Sequence, residues 1–242
     1  MKCKNCGHTF EGNFCDNCGQ SAKVERINFS NFISEVSETI FQVNRGFFFT
    51  LKELFKSPGK SLRDFLEGKR KSHFKPIAYL LILSTIYILA TRITDTNTLV
   101  GYIVEGWMIG ASDKGSDAEI PRVANWLLTN YAYLTLLLIP VFSLASYISF
   151  STFRKTYLEH VVINSYITGQ QAIIYSVFTI AGSLLDSEAI AEVVPLVLAV
   201  SYTFWVFWSL FDNGHRVINV LRSVLTYVLY TALSSGLLAL LI

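Results

Sequence analysis

The chain has 242 residues, of which 52% are hydrophobic and only 16% are charged, whereas soluble domains usually carry about 25% charged residues. Its mean hydropathy of +0.42 points in the same direction, and its net charge is only +2. These values exclude a disordered chain, a coiled coil and a basic nucleic-acid-binding domain, and they indicate an integral membrane protein.

All four cysteines lie close to the N-terminus, which indicates a metal site in a reducing compartment rather than a disulfide framework. Cys3 and Cys6 belong to one C-x-x-C-G knuckle, and Cys15 and Cys18 belong to a second. Four thiolates at this spacing predict a closed tetrahedral site for structural Zn²⁺, with a rubredoxin-like iron site as the alternative. His8 could serve as a spare nitrogen ligand, but the sequence favours a simply exposed side chain. Because so short a segment cannot bury an adequate core, the metal is expected to fold it as a zinc ribbon.

The next segment is amphipathic and basic. Apolar residues recur at three- and four-residue steps over 29–43, which predicts an amphipathic helix, and 48–56 form a second amphipathic segment. Ser57 and Pro58 predict the start of a short helix after it. Such segments before a membrane span favour helices in the cytoplasmic headgroup layer; the alternative is soluble helices packed on the end of the bundle. The predicted contacts for anionic lipid headgroups are Lys52, Lys56, Lys60, Arg63, Lys69, Arg70 and Lys71.

Long apolar runs dominate the rest of the chain and predict about five transmembrane helices. Because the polar N-terminus lacks the features of a cleavable signal sequence, insertion is expected to depend on these internal segments. The predicted organisation is a zinc ribbon at 1–20, an amphipathic basic juxtamembrane region at 21–75 and a transmembrane domain at 76–242. The predicted spans are 76–93, 126–150 (with Pro140 as a kink), 161–185, 193–211 and 223–242.

Basic and acidic loops alternate along this pattern. The stretch 52–75 and the loops after the second and fourth spans are basic, whereas 94–125 and the hairpin between the third and fourth spans are acidic. The positive-inside rule therefore predicts a cytoplasmic N-terminus and an external C-terminus.

Polar residues in and beside the third and fourth spans form a second candidate site, because polar groups within a span often bind a proton or a solute. Ordinary hydrogen bonding between helices and capping of helix ends is the alternative, and the sequence favours it. The residues concerned are Glu159, His160, Asn164, Gln171, Asp212 and His215.

An ordered set of short motifs follows the two knuckles: L-K-E-L at 51–54, P-G-K-S at 58–61, F-L-E-G-K-R at 65–70, H-F-K-P at 73–76 and Y-L-E-H at 157–160. This combination resembles an uncharacterised family of bacterial polytopic membrane proteins, a domain of unknown function that starts with a zinc ribbon. The resemblance is most specific over 51–80. It implies this architecture and a place in the bacterial inner membrane, and it implies no catalytic role.

Together these features predict an all-α membrane protein that acts as a non-enzymatic adaptor or scaffold, whose zinc ribbon binds a cytoplasmic protein. The alternative is a small-solute or proton-coupled transporter or channel that uses polar residues of the third helix. A lipid-modifying enzyme ranks third, because only Glu159 and His160 with Asp212 offer a partial site. Small residues at 234–236 would allow the last helix to pack against a second copy of the chain.

Overall fold

The computed structural model describes residues 1–24, 26–27, 45–96, 131–212 and 215–241. Within these ranges the chain is helical, apart from turns and two isolated antiparallel bridges near the N-terminus. The prediction of an all-α fold is confirmed for this part of the chain. The predicted amphipathic helix at 29–43, most of the acidic loop 94–125 and the start of the second predicted span lie outside the described residues.

Seven α-helices account for most of the described residues, and we number them in chain order. Pro58 and Pro76 stand in the first turns of the second and third helices, where a missing N–H costs no hydrogen bond, although Ser57 makes no side-chain capping bond. A π-helical turn at Ala189–Val193 leads directly into the sixth helix. The helices are α1 (Arg45–Lys56), α2 (Pro58–Leu66), α3 (Pro76–Thr94), α4 (Tyr131–Ser149), α5 (Tyr157–Leu184), α6 (Val194–Leu210) and α7 (Arg216–Leu241).

Three helices of the described part are long and apolar enough to cross a membrane: Pro76–Thr94, Ala189–Leu210 and Arg216–Leu237. α4 contains a shorter apolar stretch, Leu137–Ser149. α5 is 28 residues long, but its first half is more polar. α5 begins about one helical turn before the predicted third span, and α7 begins about two turns before the predicted fifth span. These helices identify a membrane protein by length and composition.

Successive long helices run in alternating directions. α5 lies at the centre, parallel to α3 and antiparallel to α4 and α6, and α7 is antiparallel to α6. The short connections after α4, α5 and α6 fit this arrangement, because helices joined by a few residues must be antiparallel neighbours. Two contacts fix the direction of each pair of helices. For α3 and α5 they are Tyr79–Tyr166 and Tyr87–Tyr175, and for α4 and α5 they are Ser143–Asn164 and Ser146–His160. For α5 and α6 they are Gln171–Thr203 and Gly182–Ala191, and for α6 and α7 they are Thr203–Tyr227 and Trp208–Arg216.

α1 and α2 pack across the end of the bundle at which α3 begins and α6 ends. We call residues 45–75 the platform. Leu54, Leu62 and Phe65 are buried in the same core as the long helices, so the inner face of the platform is part of the bundle. The other face of α1 exposes aromatic and basic side chains, namely Phe48, Phe49, Lys52, Phe55 and Lys56.

The platform is fixed to the C-terminal end of α6. The N–H of Gly59 donates to Ser209 Oγ at 3.1 Å, and a Cβ atom at Gly59 would lie only 2.3 Å from the Ser209 backbone. Arg63 donates to the carbonyl oxygens of Ser209 and Leu210. These carbonyls lie in the last turn of α6, where no further N–H groups of the helix are available, so Arg63 satisfies the helix end.

Candidate functional site

Four cysteine sulfurs converge near the N-terminus. The Sγ atoms of Cys3 and Cys18 lie 3.6 Å apart, those of Cys6 and Cys15 lie 3.7 Å apart, and all four lie within 4.8 Å of one another. A disulfide requires about 2.05 Å between two sulfurs, whereas sulfurs at tetrahedral corners about 2.3 Å from a metal lie roughly 3.8 Å apart. The cluster therefore has the spacing of a metal site and could hold an ion.

The two knuckles are copies of one backbone structure, 1–10 and 13–22, offset by twelve residues. In each copy the N–H of the first cysteine donates to the carbonyl five residues later, at 2.8 Å. At equivalent positions the two copies share only four residues, C, N, C and G. The structural repeat therefore covers more residues than the sequence similarity does. The equivalent positions include Cys3 and Cys15, Gly7 (φ 76°) and Gly19 (φ 71°), His8 and Gln20, and the bridges Lys2–Thr9 and Phe14–Ser21.

The four thiols differ in environment. Cys3 and Cys15 are buried and Cys6 is exposed. A hydrogen bond with the backbone of His8 lowers the pKa of the Cys6 thiol to about 6, whereas burial raises the pKa of Cys18 to about 11. His8 Nε2 lies 3.3 Å from a carboxylate oxygen of Asp16, so this nitrogen faces a surface carboxylate. The sulfurs alone form the donor set.

The cysteine module, which we define as residues 1–22, rests on the turn between α2 and α3. Gln20 is buried, and its Oε1 accepts the N–H of Lys71 at 3.0 Å. Lys4 Nζ donates to the carbonyl of Val24 at 3.1 Å. The side chains of Lys4 and Val24 lie over Gly68, where an added Cβ atom would approach them to 3.2 and 2.8 Å. The glycine therefore permits the module to dock closely on the platform.

A bidentate ion pair fixes the segment that follows the module. Arg26 donates to Glu159 at 2.9 and 2.8 Å and also to the carbonyl of Arg154 at 3.1 Å. Glu159 is buried and accepts the N–H of Thr156 at 2.8 Å, which completes a capping box at the start of α5. Protein groups therefore already bind both carboxylate oxygens of this predicted site residue. Sequence reasoning missed Arg26, because one arginine in a linker has no periodic signal.

His160 and Asn164 form a buried polar cluster with α4. His160 Nδ1 lies 2.9 Å from Ser146 Oγ, and Asn164 Nδ2 donates to the same oxygen at 2.7 Å. Because the Ser146 hydroxyl donates to the carbonyl of Ser143, it accepts from His160, which must carry its proton on Nδ1. In the described part, His160 Nε2 and Asn164 Oδ1 are buried without a partner. Sequence reasoning missed the two serines, although their three-residue spacing in an apolar helix was a signal.

The remaining residues of the predicted polar site lie apart from this cluster. Gln171 faces α6 and donates to Thr203 Oγ1 at 2.9 Å. Asp212 lies 3.2 Å from Arg63, and His215 is exposed. The two acidic residues of the predicted site thus bind different arginines, and the contacts described here do not join the six residues into one site.

The seven predicted headgroup contacts divide into two groups. Four lysines are exposed and form no ion pair among the described residues, namely Lys52, Lys56, Lys60 and Lys71. The protein itself holds the other three: Arg63 by Asp212, Lys69 by Asp64, and Arg70 over the ring of Phe65 at 5.6 Å.

His73 connects the two parts of the platform. Its Nδ1 lies 2.9 Å from the carbonyl of Lys69, which can only accept, so Nδ1 carries the proton. Nε2 therefore accepts from the hydroxyl of Ser61 at 3.0 Å. Burial lowers the pKa of His73, because the charged form loses its hydration.

One family model, described as "Protein of unknown function (DUF3667)", matches residues 44–88. The matched segment covers the platform and most of α3, and it includes Gly59, Gly68 and His73. The match supports the resemblance to an uncharacterised domain family. No curated protein and no solved structure matches the chain.

Proposed function

We propose that this protein is a membrane-anchored adaptor in which an N-terminal zinc ribbon binds a cytoplasmic protein. The observation that supports this most is the convergence of four thiols, with tetrahedral spacing, in a module docked on the platform. Zn²⁺ is the ion that such a donor set favours. Four protein ligands leave no open position for a substrate, which fits a structural ion better than a catalytic one.

The proposal includes five membrane spans, α3 to α7, in a bacterial inner membrane with the platform on the cytoplasmic side. The alternating helix directions support five crossings. Charge supports the orientation, because the platform end is basic and the turn between α5 and α6 at the opposite end is acidic. The charged residues are Lys52, Lys56, Lys60, Arg154, Lys155, Arg216 and Arg222 at the platform end, and Asp186, Glu188 and Glu192 at the other.

An exposed aromatic residue supports a protein partner. Phe14 belongs to the cysteine module and is 66% exposed. Aromatic side chains are enriched among the residues that contribute most to protein–protein binding, so Phe14 is the residue of the module that we assign to the contact. The ribbon would thus bind the platform through Gln20 and a partner through Phe14.

Photo-crosslinking in native membranes tests the adaptor. A photoreactive phenylalanine analogue is placed at Phe14 in one variant and at the exposed Glu11 in a control. The expected result is one stoichiometric adduct at Phe14, lost when Cys15→Ser and Cys18→Ser are added at matched membrane levels. Adducts of equal yield from both positions, or adducts that survive loss of the cysteines, would contradict a partner that recognises the folded ribbon.

A transporter is the second candidate, and two buried acceptors favour it, His160 Nε2 and Asn164 Oδ1, for which the described residues supply no donor. Such a pair of acceptors could bind a proton-bearing solute. Proton or solute flux into proteoliposomes is the measurement, with His160→Ala as the test and the exposed His215→Ala as the control. Flux that is lost only with His160 would support transport, and flux equal to that of empty liposomes would remove it.

A further inference from the structure

A groove of about 550 Å³ opens between α1, α5 and α6. Its lining includes Phe55 of α1, Ile174 and Val177 of α5, and Ser201 and Trp205 of α6. Val177 is 56% and Trp205 is 42% exposed, so the groove is open to the surroundings of the bundle. Its volume falls within the range of roughly 300–1,000 Å³ that is typical of ligand sites.

The groove lies at the depth of one membrane leaflet. α6 ends at Leu210 beside the platform, and the groove extends along this helix from Trp205 to Leu198. At about 1.5 Å per residue, these positions lie roughly 8 and 18 Å from the end of α6. One leaflet contributes about half of a hydrocarbon core of ~30 Å. An acyl chain that descends from the platform side therefore has the direction of this groove and reaches most of its length.

Two lysines lie beside the platform end of the groove. Lys56 directly follows Phe55, and Lys52 precedes it by one helical turn, so all three share the exposed face of α1. Neither lysine forms an ion pair within the described ranges. The lining of the groove contains no charged residue. An apolar channel with two ammonium groups beside it complements a molecule with an anionic head and a long apolar tail.

We propose that this groove binds one anionic phospholipid, with its phosphate at Lys52 and Lys56 and one acyl chain between α5 and α6. The proposal rests on the membrane orientation given above and is independent of the metal centre. Each lysine is expected to favour an anionic over a zwitterionic lipid by about fivefold.

Trp205 provides a reporter inside the groove, because bromine on an acyl chain quenches tryptophan fluorescence at contact. A chain that keeps only this tryptophan (Trp107→Phe, Trp126→Phe, Trp208→Phe) is reconstituted into phosphatidylcholine vesicles. These vesicles contain a small, equal fraction of brominated phosphatidylglycerol or brominated phosphatidylcholine. We expect much stronger quenching by the phosphatidylglycerol.

Three further variants separate the site from general attraction to an anionic surface. Lys52→Gln with Lys56→Gln should abolish the difference between the lipids. Lys2→Gln with Lys23→Gln removes the same charge from the cysteine module and the residue that follows it, and should preserve the difference. Ser201→Phe fills the groove, keeps both lysines and should also abolish it. Equal quenching by both lipids in the parent chain, or a preference that survives Ser201→Phe, would overturn the site. Quenching by neither lipid would instead overturn the membrane placement, so the two failures are distinguishable.

Discussion

Arg26 and Glu159 lie 133 positions apart in the sequence and meet through two hydrogen bonds of 2.9 and 2.8 Å, one to each carboxylate oxygen. The arginine belongs to the segment that leaves the cysteine module, and the carboxylate belongs to the first turn of α5. Because Glu159 also accepts the N–H of Thr156, one side chain both starts the helix and anchors the segment. The module is therefore attached at two points, here and at Lys71.

We expect Arg26→Gln to lower the free energy of unfolding by about 1–3 kcal/mol, because a buried carboxylate loses its charged partner. The arginine side chain is 58% exposed, so water replaces part of the interaction and the lower end of this range applies. Thermal unfolding in detergent micelles measures the change, with Arg92→Gln at an exposed position of α3 as the control. Equal shifts in the two variants would show that the pair contributes nothing specific.

The cysteine cluster predicts a defined metal content. Elemental analysis of the purified protein should give one zinc per chain, and Cys15→Ser with Cys18→Ser should reduce the zinc content to background. His8→Ala should retain the ion, because His8 Nε2 faces Asp16. Iron in place of zinc would correct the identity of the ion, and full zinc in the double cysteine variant would place the site elsewhere.

Gly59→Ala should be strongly destabilising, because the added methyl would lie 2.3 Å from the Ser209 backbone. Neither backbone can yield without separating α2 from α6, so we expect a loss of about 3 kcal/mol or more, comparable to overpacking of a core. Gly236→Ala in α7 is the matched control, because no described residue lies within 4 Å of its added Cβ. It should leave stability unchanged or raise it by up to about 1 kcal/mol through helix propensity. The comparison is made by thermal unfolding and membrane yield.

His73 should make stability depend on pH. In the unfolded chain this histidine titrates near its ordinary pKa of about 6.5, and burial lowers the pKa in the folded protein. Between these two values the unfolded chain binds more protons. The contribution of the neutral His73 to the free energy of unfolding is therefore fully present above about pH 6.5. It is lost as the pH falls toward the pKa that His73 has in the folded protein.

The measurement is the melting temperature between pH 7.5 and pH 5 for the parent chain and for His73→Gln. The parent should lose more stability on acidification than this variant, because the variant lacks the titrating group. His215→Gln, which removes an exposed histidine, should follow the parent. Parallel curves for the parent and His73→Gln would exclude a contribution from His73.

Local patterns in the sequence predicted local structure. The C-x-x-C-G spacing located the sulfur cluster, and Pro58 located the start of α2, because both signals act within a few residues. The polar stripe of α5 was predicted less well. Asn164 and Gln171 lie two turns apart on one face, yet the first bonds α4 and the second bonds α6. Packed helices cross at an angle, so the neighbour of one face changes along the helix, and periodicity within a single helix cannot predict this.

The repeat within the cysteine module combines a symmetric interior with an asymmetric surface. Both copies contribute two cysteines and the same backbone bonds, but the position of Lys2 in the first copy is that of Phe14 in the second. One copy thus offers an ammonium group where the other offers an aromatic ring. The two copies would otherwise present equivalent surfaces, and a partner could bind to either one. A partner that recognises the aromatic ring can bind only to the second copy, so the module can be bound in one orientation only.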